Sequence, residues 1–153
     1  MRKTNRVAAV LAAASLVVGL PASANAMSGA EKLRRLDIML MVTGLRCRTG
    51  ADNFQADYGR FTTSHIGLLN AASDTLKRDM AARHGQAGAA RALDRLSVTM
   101  ANAYGQGHPW LNCRELRMVA RNLAEVRGTE ALESAADQLL GDRATDQIAL
   151  LRR

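Results

Sequence analysis

The sequence predicts an all-α protein, a compact bundle of four or five helices carrying one disulfide. Three observations lead there. Aromatic residues make up only 3% of the 153-residue chain while hydrophobic residues reach 48%, so Leu, Ala, Met and Val supply most of the apolar mass. That mix favours close-packed helices over the β-branched, aromatic-rich strands of a sandwich or barrel. Apolar side chains recur at three- and four-residue spacing along several long stretches, the period of an amphipathic helix. Finally, the chain has only two cysteines, Cys47 and Cys113. At 23% charged residues the composition also excludes a disordered polyelectrolyte and a collagen-like repeat, and one domain is the expected content.

The first segment reads as an export signal. Arg2, Lys3 and Arg6 precede an apolar run of 14 residues, Val7 to Leu20, after which Pro21 breaks the run ahead of Ala24-Asn25-Ala26. A basic start, an apolar middle and an Ala-x-Ala triplet form the three-part layout of a secretory signal. Residues 1–26 are therefore expected to be a signal peptide cleaved near Ala26, with the protein periplasmic or secreted afterwards. The run falls short of the ~20 apolar residues that span a bilayer, and no later segment approaches that length, so no transmembrane segment is expected after cleavage. Cleavage takes Lys plus Arg from 21 to 18 against 14 acidic residues, leaving a modest net charge of +4. In an oxidising compartment a lone pair of cysteines is most simply one structural disulfide, Cys47 to Cys113.

The helical domain is expected over residues 27–141. Ser28 with Glu31 forms a capping box, and Leu33, Leu36, Leu40 and Cys47 then recur at helical spacing, giving a first helix from about 28 to 48. Asp52 with Gln55 gives a second capping signal. From Phe54 onward, Tyr58, Phe61, His65, Leu69, Ala72 and Leu76 fall within about 60° of one another at the helical period, so a long second helix runs to His84 and stops at Gly85. The third, about 87 to 104, places Leu93, Leu96, Met100 and Tyr104 on one stripe.

The connection Gly105-Gln106-Gly107-His108-Pro109-Trp110-Leu111 is the most irregular segment of the domain. Pro109 forces His108 out of helical geometry. Asn112 caps the fourth helix with Glu115 completing the box, and Leu111 is placed to staple onto Leu116. Its apolar face is Leu116, Val119, Leu123 and Val126, and Gly128 ends it. A fifth helix begins at Thr129 and carries Leu132, Ala135, Ala136, Leu139 and Leu140 up to Gly141. Residues 142–153 form a C-terminal tail that either adds a short helix through Ile148 and Leu151 or frays.

A disulfide between the end of helix one and the first turn of helix four presses the 105–111 loop against Leu45-Arg46-Cys47-Arg48. The candidate binding residues are accordingly Tyr104, His108, Trp110, Arg46 and Arg48. The same loop also reads as a packed helix connector, with Trp110 as a lid over the core. His108 is the candidate catalytic residue, as a general acid or base. His65, on the aromatic stripe, reads as a satisfied core histidine rather than a ligand. The carboxylates Asp52, Asp57, Asp74 and Asp79 read as caps and solvated faces.

No metal site is spelled out: the histidines stand apart at 65, 84 and 108, without His-x-x-x-His or Cys-x-x-Cys spacing. Gly105-Gln106-Gly107 follows a helix rather than a strand, so it is no dinucleotide fingerprint, and no cofactor is expected. Arg114, Arg117 and Arg121 share one face of helix four, either as a solvated surface or as a grip for an anionic envelope component. Nucleic acid is disfavoured as a partner because base-stacking aromatics are missing.

The segments Leu36-Asp37-Ile38-Met39-Leu40-Met41-Val42-Thr43-Gly44-Leu45-Arg46-Cys47-Arg48, Asn53-Phe54-Gln55-Ala56-Asp57-Tyr58 and Tyr104-Gly105-Gln106-Gly107-His108-Pro109-Trp110-Leu111-Asn112-Cys113 resemble a group of short exported helical proteins from alphaproteobacteria. The likeness spans about residues 31–127, and it implies export and a helical fold without implying an activity. Some members bear the label S-adenosyl-L-homocysteine hydrolase. The enzyme of that name is a much larger cytosolic protein that binds NAD on a Rossmann domain, whereas this sequence has neither βαβ alternation nor the glycine fingerprint. The expected function is a non-enzymatic periplasmic module that binds a ligand or partner through the loop. The alternative is a small hydrolase or lyase using His108, with Tyr104, Arg46 or Arg48 beside it.

Overall fold

A computed structural model describes residues 27–141. The expected signal peptide, 1–26, and the tail, 142–153, lie outside the described residues. The domain is an all-α bundle of five helices: α1 (Gly29–Arg46), α2 (Gln55–His84), α3 (Gln86–Ala103), α4 (Cys113–Glu125) and α5 (Thr129–Leu140). No helix among the described residues is long and apolar enough to cross a membrane.

Local chemistry sets most of the boundaries. The Ser28 hydroxyl accepts from the Glu31 amide at 3.2 Å to open α1. The α4 box is complete: Asn112 Oδ1 accepts from the Glu115 amide at 3.1 Å, and Glu115 Oε2 accepts from the Asn112 amide at 2.8 Å. Gly85 alone joins α2 to α3, with φ 71° and ψ 162°, a backbone conformation essentially reserved for glycine. The start of α2 departs from the expected box. Phe54 occupies the cap position, its ring fully buried, and the preceding Asn53 does the capping, with Oδ1 accepting from the Gln55 amide at 3.0 Å. Asn53 also donates from Nδ2 to the Arg48 carbonyl at 2.9 Å, which closes the turn after α1 two residues earlier than the apolar spacing alone suggests.

α2, the longest helix, packs against α1, α3 and α4, while α5 lies along α1. The main core holds Leu36, Met39, Leu40, Phe54, Phe61, Leu116 and Leu132, with a satellite cluster of Met80, Ala89 and Ala92 where α2 turns into α3. On α4 the buried face is Leu116, Ala120, Leu123 and Ala124, whereas Val119 and Val126 are half-buried. Alanines on that face let α4 approach its neighbours closely, a contribution that apolar periodicity read from large side chains overlooks.

Buried polar side chains find partners both within α1 and between helices. Thr43 returns its hydroxyl to the Met39 carbonyl at 2.7 Å inside the core. His65 Nε2 meets the Leu123 carbonyl at 2.8 Å and its ring lies 5.2 Å from that of Phe61, so His65 is a hydrogen-bonded core histidine joining α2 to α4. The Tyr58 hydroxyl donates to Asp37 Oδ1 at 2.9 Å, and Arg34 reaches both Asp37, at 3.9 Å, and Ser97 Oγ, at 3.3 Å. Burial raises the Asp37 pKa above its ordinary value, opposed by the Tyr58 bond and the Arg34 charge. Burial and the adjacent Asp37 also raise the Tyr58 pKa, so the phenol stays protonated and serves as the donor.

Candidate functional site: a disulfide-braced cleft

The cleft is assembled by the covalent link between α1 and α4. Cys47 and Cys113 are bonded, with Cα atoms 5.8 Å apart, and no free cysteine exists among the described residues. That link sets the start of α4 beside the end of α1 and folds the 104–112 connection across the gap. Arg46 donates from Nη1 to the Gly105 carbonyl at 3.5 Å. Gly107 adopts φ 110°, a backbone conformation that favours glycine, and a Cβ there would sit in ordinary contact 3.4 Å from Arg46 Nε, so glycine is required by the backbone geometry.

His108 is the keystone of the connection. Its Nδ1 lies 3.2 Å from the Leu111 amide nitrogen and 3.4 Å from that of Trp110, and its Nε2 lies 3.0 Å from the Leu139 carbonyl oxygen. Amide N–H groups directed at Nδ1 require a lone pair there, so the proton resides on Nε2 and is donated to Leu139. The ring is buried, edge-on to Trp110 at 4.6 Å and stacked near Tyr104 at 6.2 Å. Burial lowers the His108 pKa from its ordinary value, partly offset by the bond to Leu139. The neutral imidazole thus fastens the loop to α5 with both nitrogens occupied.

Beside it opens a cleft of about 200 Å³ lined by Arg35, Ala103, Tyr104, Pro109, Trp110, Leu139 and Leu140. Of the residues singled out in the sequence, Tyr104 and Trp110 line this cleft and His108 packs against both of them. Arg46 contacts the loop without lining the cleft, and exposed Arg48 donates to the Leu45 carbonyl of its own turn at 3.3 Å. Arg35 was not singled out. Its guanidinium carbon stands 5.9 Å from the centre of the Tyr104 ring. The available signal was a charge four residues before buried Met39, on the flank of the α1 stripe. A wider groove of about 420 Å³ between α1, α2 and α5 is lined mainly by small apolar and hydroxyl side chains with Glu133, and it presents no cation.

No family model, curated protein or solved structure matches this chain.

Among the described residues, no group of three or more His, Cys, Asp or Glu is arranged to hold a metal ion. The cleft offers a cation, two aromatic faces and aliphatic walls.

The α4 arginines form a separate constellation. Arg117 and Arg121 approach the buried carboxylate of Asp57 at 3.7 and 3.4 Å, joined by Arg60 from the same helix as Asp57, while Arg114 faces Asp52 at 3.8 Å. Asp57 is thus no solvated surface acid: it neutralises part of a three-guanidinium cluster where α4 crosses α2. Asp57→Asn retains the shape and removes the charge. It is expected to destabilise the protein by about 2 kcal/mol, the usual scale for a charge-assisted hydrogen bond. Chemical denaturation in low and high salt checks this, and the loss should shrink in high salt as guanidinium repulsion is screened.

Proposed function

We propose that this chain is an exported, periplasmic, non-enzymatic module that binds a small ligand in the cleft beneath Trp110. The observation that carries the reading is the occupation of His108: its two ring nitrogens serve the backbone at Leu111, Trp110 and Leu139, while the adjoining cleft keeps an open aromatic and cationic lining. A loop braced by a disulfide and a histidine clip presents Tyr104 and Trp110 on a rigid support, and preorganisation of that kind reduces the ordering cost of binding. Export is supported by the three-part layout of residues 1–26, by the disulfide, which suits an oxidising compartment, and by the resemblance to exported helical proteins.

The test is expression of the full chain with its own leader in a bacterial host. Mass analysis of the periplasmic fraction should find a chain starting near Met27 and two mass units lighter than its reduced form. The chain holds one tryptophan, so emission from Trp110 reports on the cleft alone. Titration with fractionated small-molecule extract of the host periplasm should give a saturable change in that emission. Retention of an uncleaved chain in the cytoplasm defeats the export claim. A silent Trp110 across all fractions, or conversion of a fraction component that is abolished by His108→Gln, defeats the binding claim.

A further inference from the structure

We propose that the cleft takes a small monocarboxylate with an apolar ring or branched body, its carboxylate paired to Arg35. This inference rests on the reading of the cleft as a binding site and specifies its ligand class.

The argument begins with uncompensated charge. Among the described residues, Arg35 is half-buried, its Nε, like that of Arg34, is sealed from solvent without a hydrogen-bond partner, and the acceptor its Nη1 meets is the thioether sulfur of Met27, at 3.6 Å. A thioether is a weak acceptor. Among the described residues no carboxylate lies within ion-pair distance of Arg35; Arg46, Arg48, Arg78, Arg83, Arg91, Arg95 and Arg127 also lack one, but each of those is exposed whereas Arg35 is half-buried. A guanidinium drawn over an aromatic ring and partly out of water carries a desolvation cost that a bound anion relieves, because a carboxylate accepts two parallel N–H bonds from the fork.

Shape and charge then narrow the class. The lining contains one cation and no acid, which matches a monoanion and leaves a phosphate dianion half-compensated in an apolar setting. Tyr104 and Trp110 supply aromatic faces, and Pro109, Leu139 and Leu140 supply aliphatic surface. A dry cavity of about 150 Å³ holds benzene. The cleft, at about 200 Å³, therefore suits a body with one ring or a short branched chain. Drug-sized ligands occupy clefts of roughly 300–1,000 Å³, so a nucleoside-sized molecule is too large. A ligand this small binds with a Kd of roughly tens to hundreds of micromolar.

The experiment uses the processed, disulfide-bonded protein and Trp110 emission, with benzoate and isovalerate as carboxylate probes, benzamide as the neutral isostere and phenyl phosphate as the dianion. At least one carboxylate should bind saturably, with benzamide and phenyl phosphate at least tenfold weaker. Arg35→Gln should erase the preference, lowering carboxylate affinity at least tenfold and leaving benzamide unchanged. Should Arg35→Gln fail to fold, the Nη–H resonances of Arg35 in the wild-type protein serve instead, and they should shift on addition of the bound carboxylate. Equal binding of benzoate and benzamide, or an Arg35 resonance indifferent to the ligand, overturns the carboxylate class while a responding Trp110 keeps the binding module intact. No response from Trp110 to any of the four compounds overturns the class as well. The titration with periplasmic extract then decides separately whether the cleft binds anything.

Discussion

Replacing both Cys47 and Cys113 with alanine is expected to lower stability by about 4 kcal/mol and the melting temperature by roughly 10–20 °C. The bond joins positions 66 residues apart in sequence, and the loop it closes contains all of α2 and α3 together with the 104–112 connection. In the chain-entropy account, denying so long a loop its freedom in the unfolded state sets the size of the effect. Domains of this size have a net stability of about 5–15 kcal/mol, so the variant keeps only a thin margin. The damage should also be local. The cores of α1, α4 and α5 are apolar and persist without the bond, so far-UV circular dichroism below the melting point should stay helical. The contact between Arg46 and Gly105 and the environment of Trp110 depend on the two helix ends being held together, so tryptophan emission should shift toward that of an exposed indole. Calorimetry of the wild type with and without reductant should reproduce most of the loss. A melting temperature that moves by less than about 2 °C in both experiments would show that packing alone sets the junction.

The fold was legible where its determinants are local. The capping box at Asn112 and Glu115 spans three residues, and Gly85 needs a conformation that no other residue adopts comfortably, so both helix boundaries can be read without tertiary knowledge. The amphipathic stripes of α1 and α2 follow from period alone. What the sequence hides is set by crossings. Asp57 is buried because α4 brings Arg117 and Arg121 across the first turn of α2, from 60 and 64 residues further along the chain. Arg35 becomes a cleft residue because Tyr104 and Trp110, after α3, and Leu139 and Leu140, in α5, converge on its face of α1. His108 was visible as an odd residue before a proline, but its partner carbonyl belongs to Leu139, 31 positions away, and that contact decides what its nitrogens are free to do.

His108→Ala is expected to cost about 2–4 kcal/mol, because it strips an acceptor from the Trp110 and Leu111 amides and a donor from the Leu139 carbonyl. Stability alone does not separate a clip from a catalyst, but two further measurements do. His108→Gln offers an amide with one acceptor and one donor, so it should recover part of the stability and the Trp110 emission, whereas a proton-transferring imidazole has no such substitute. The pH dependence supplies the second. Burial disfavours the imidazolium, so the folded pKa lies below the ordinary value of 6.5 and the unfolded chain binds the proton first as pH falls. The stabilisation is therefore fully present above about 6.5 and drains away as pH drops through the lowered folded value. Melting temperatures between pH 7.5 and 5 should accordingly fall more steeply in the wild type than in His108→Gln. Parallel curves would mean that the histidine titrates alike in both states, and the neutral clip at Nδ1 and Nε2 would have to be abandoned. A steeper wild-type curve with partial rescue by glutamine fixes His108 as the neutral side chain that clips the 104–112 connection to α5.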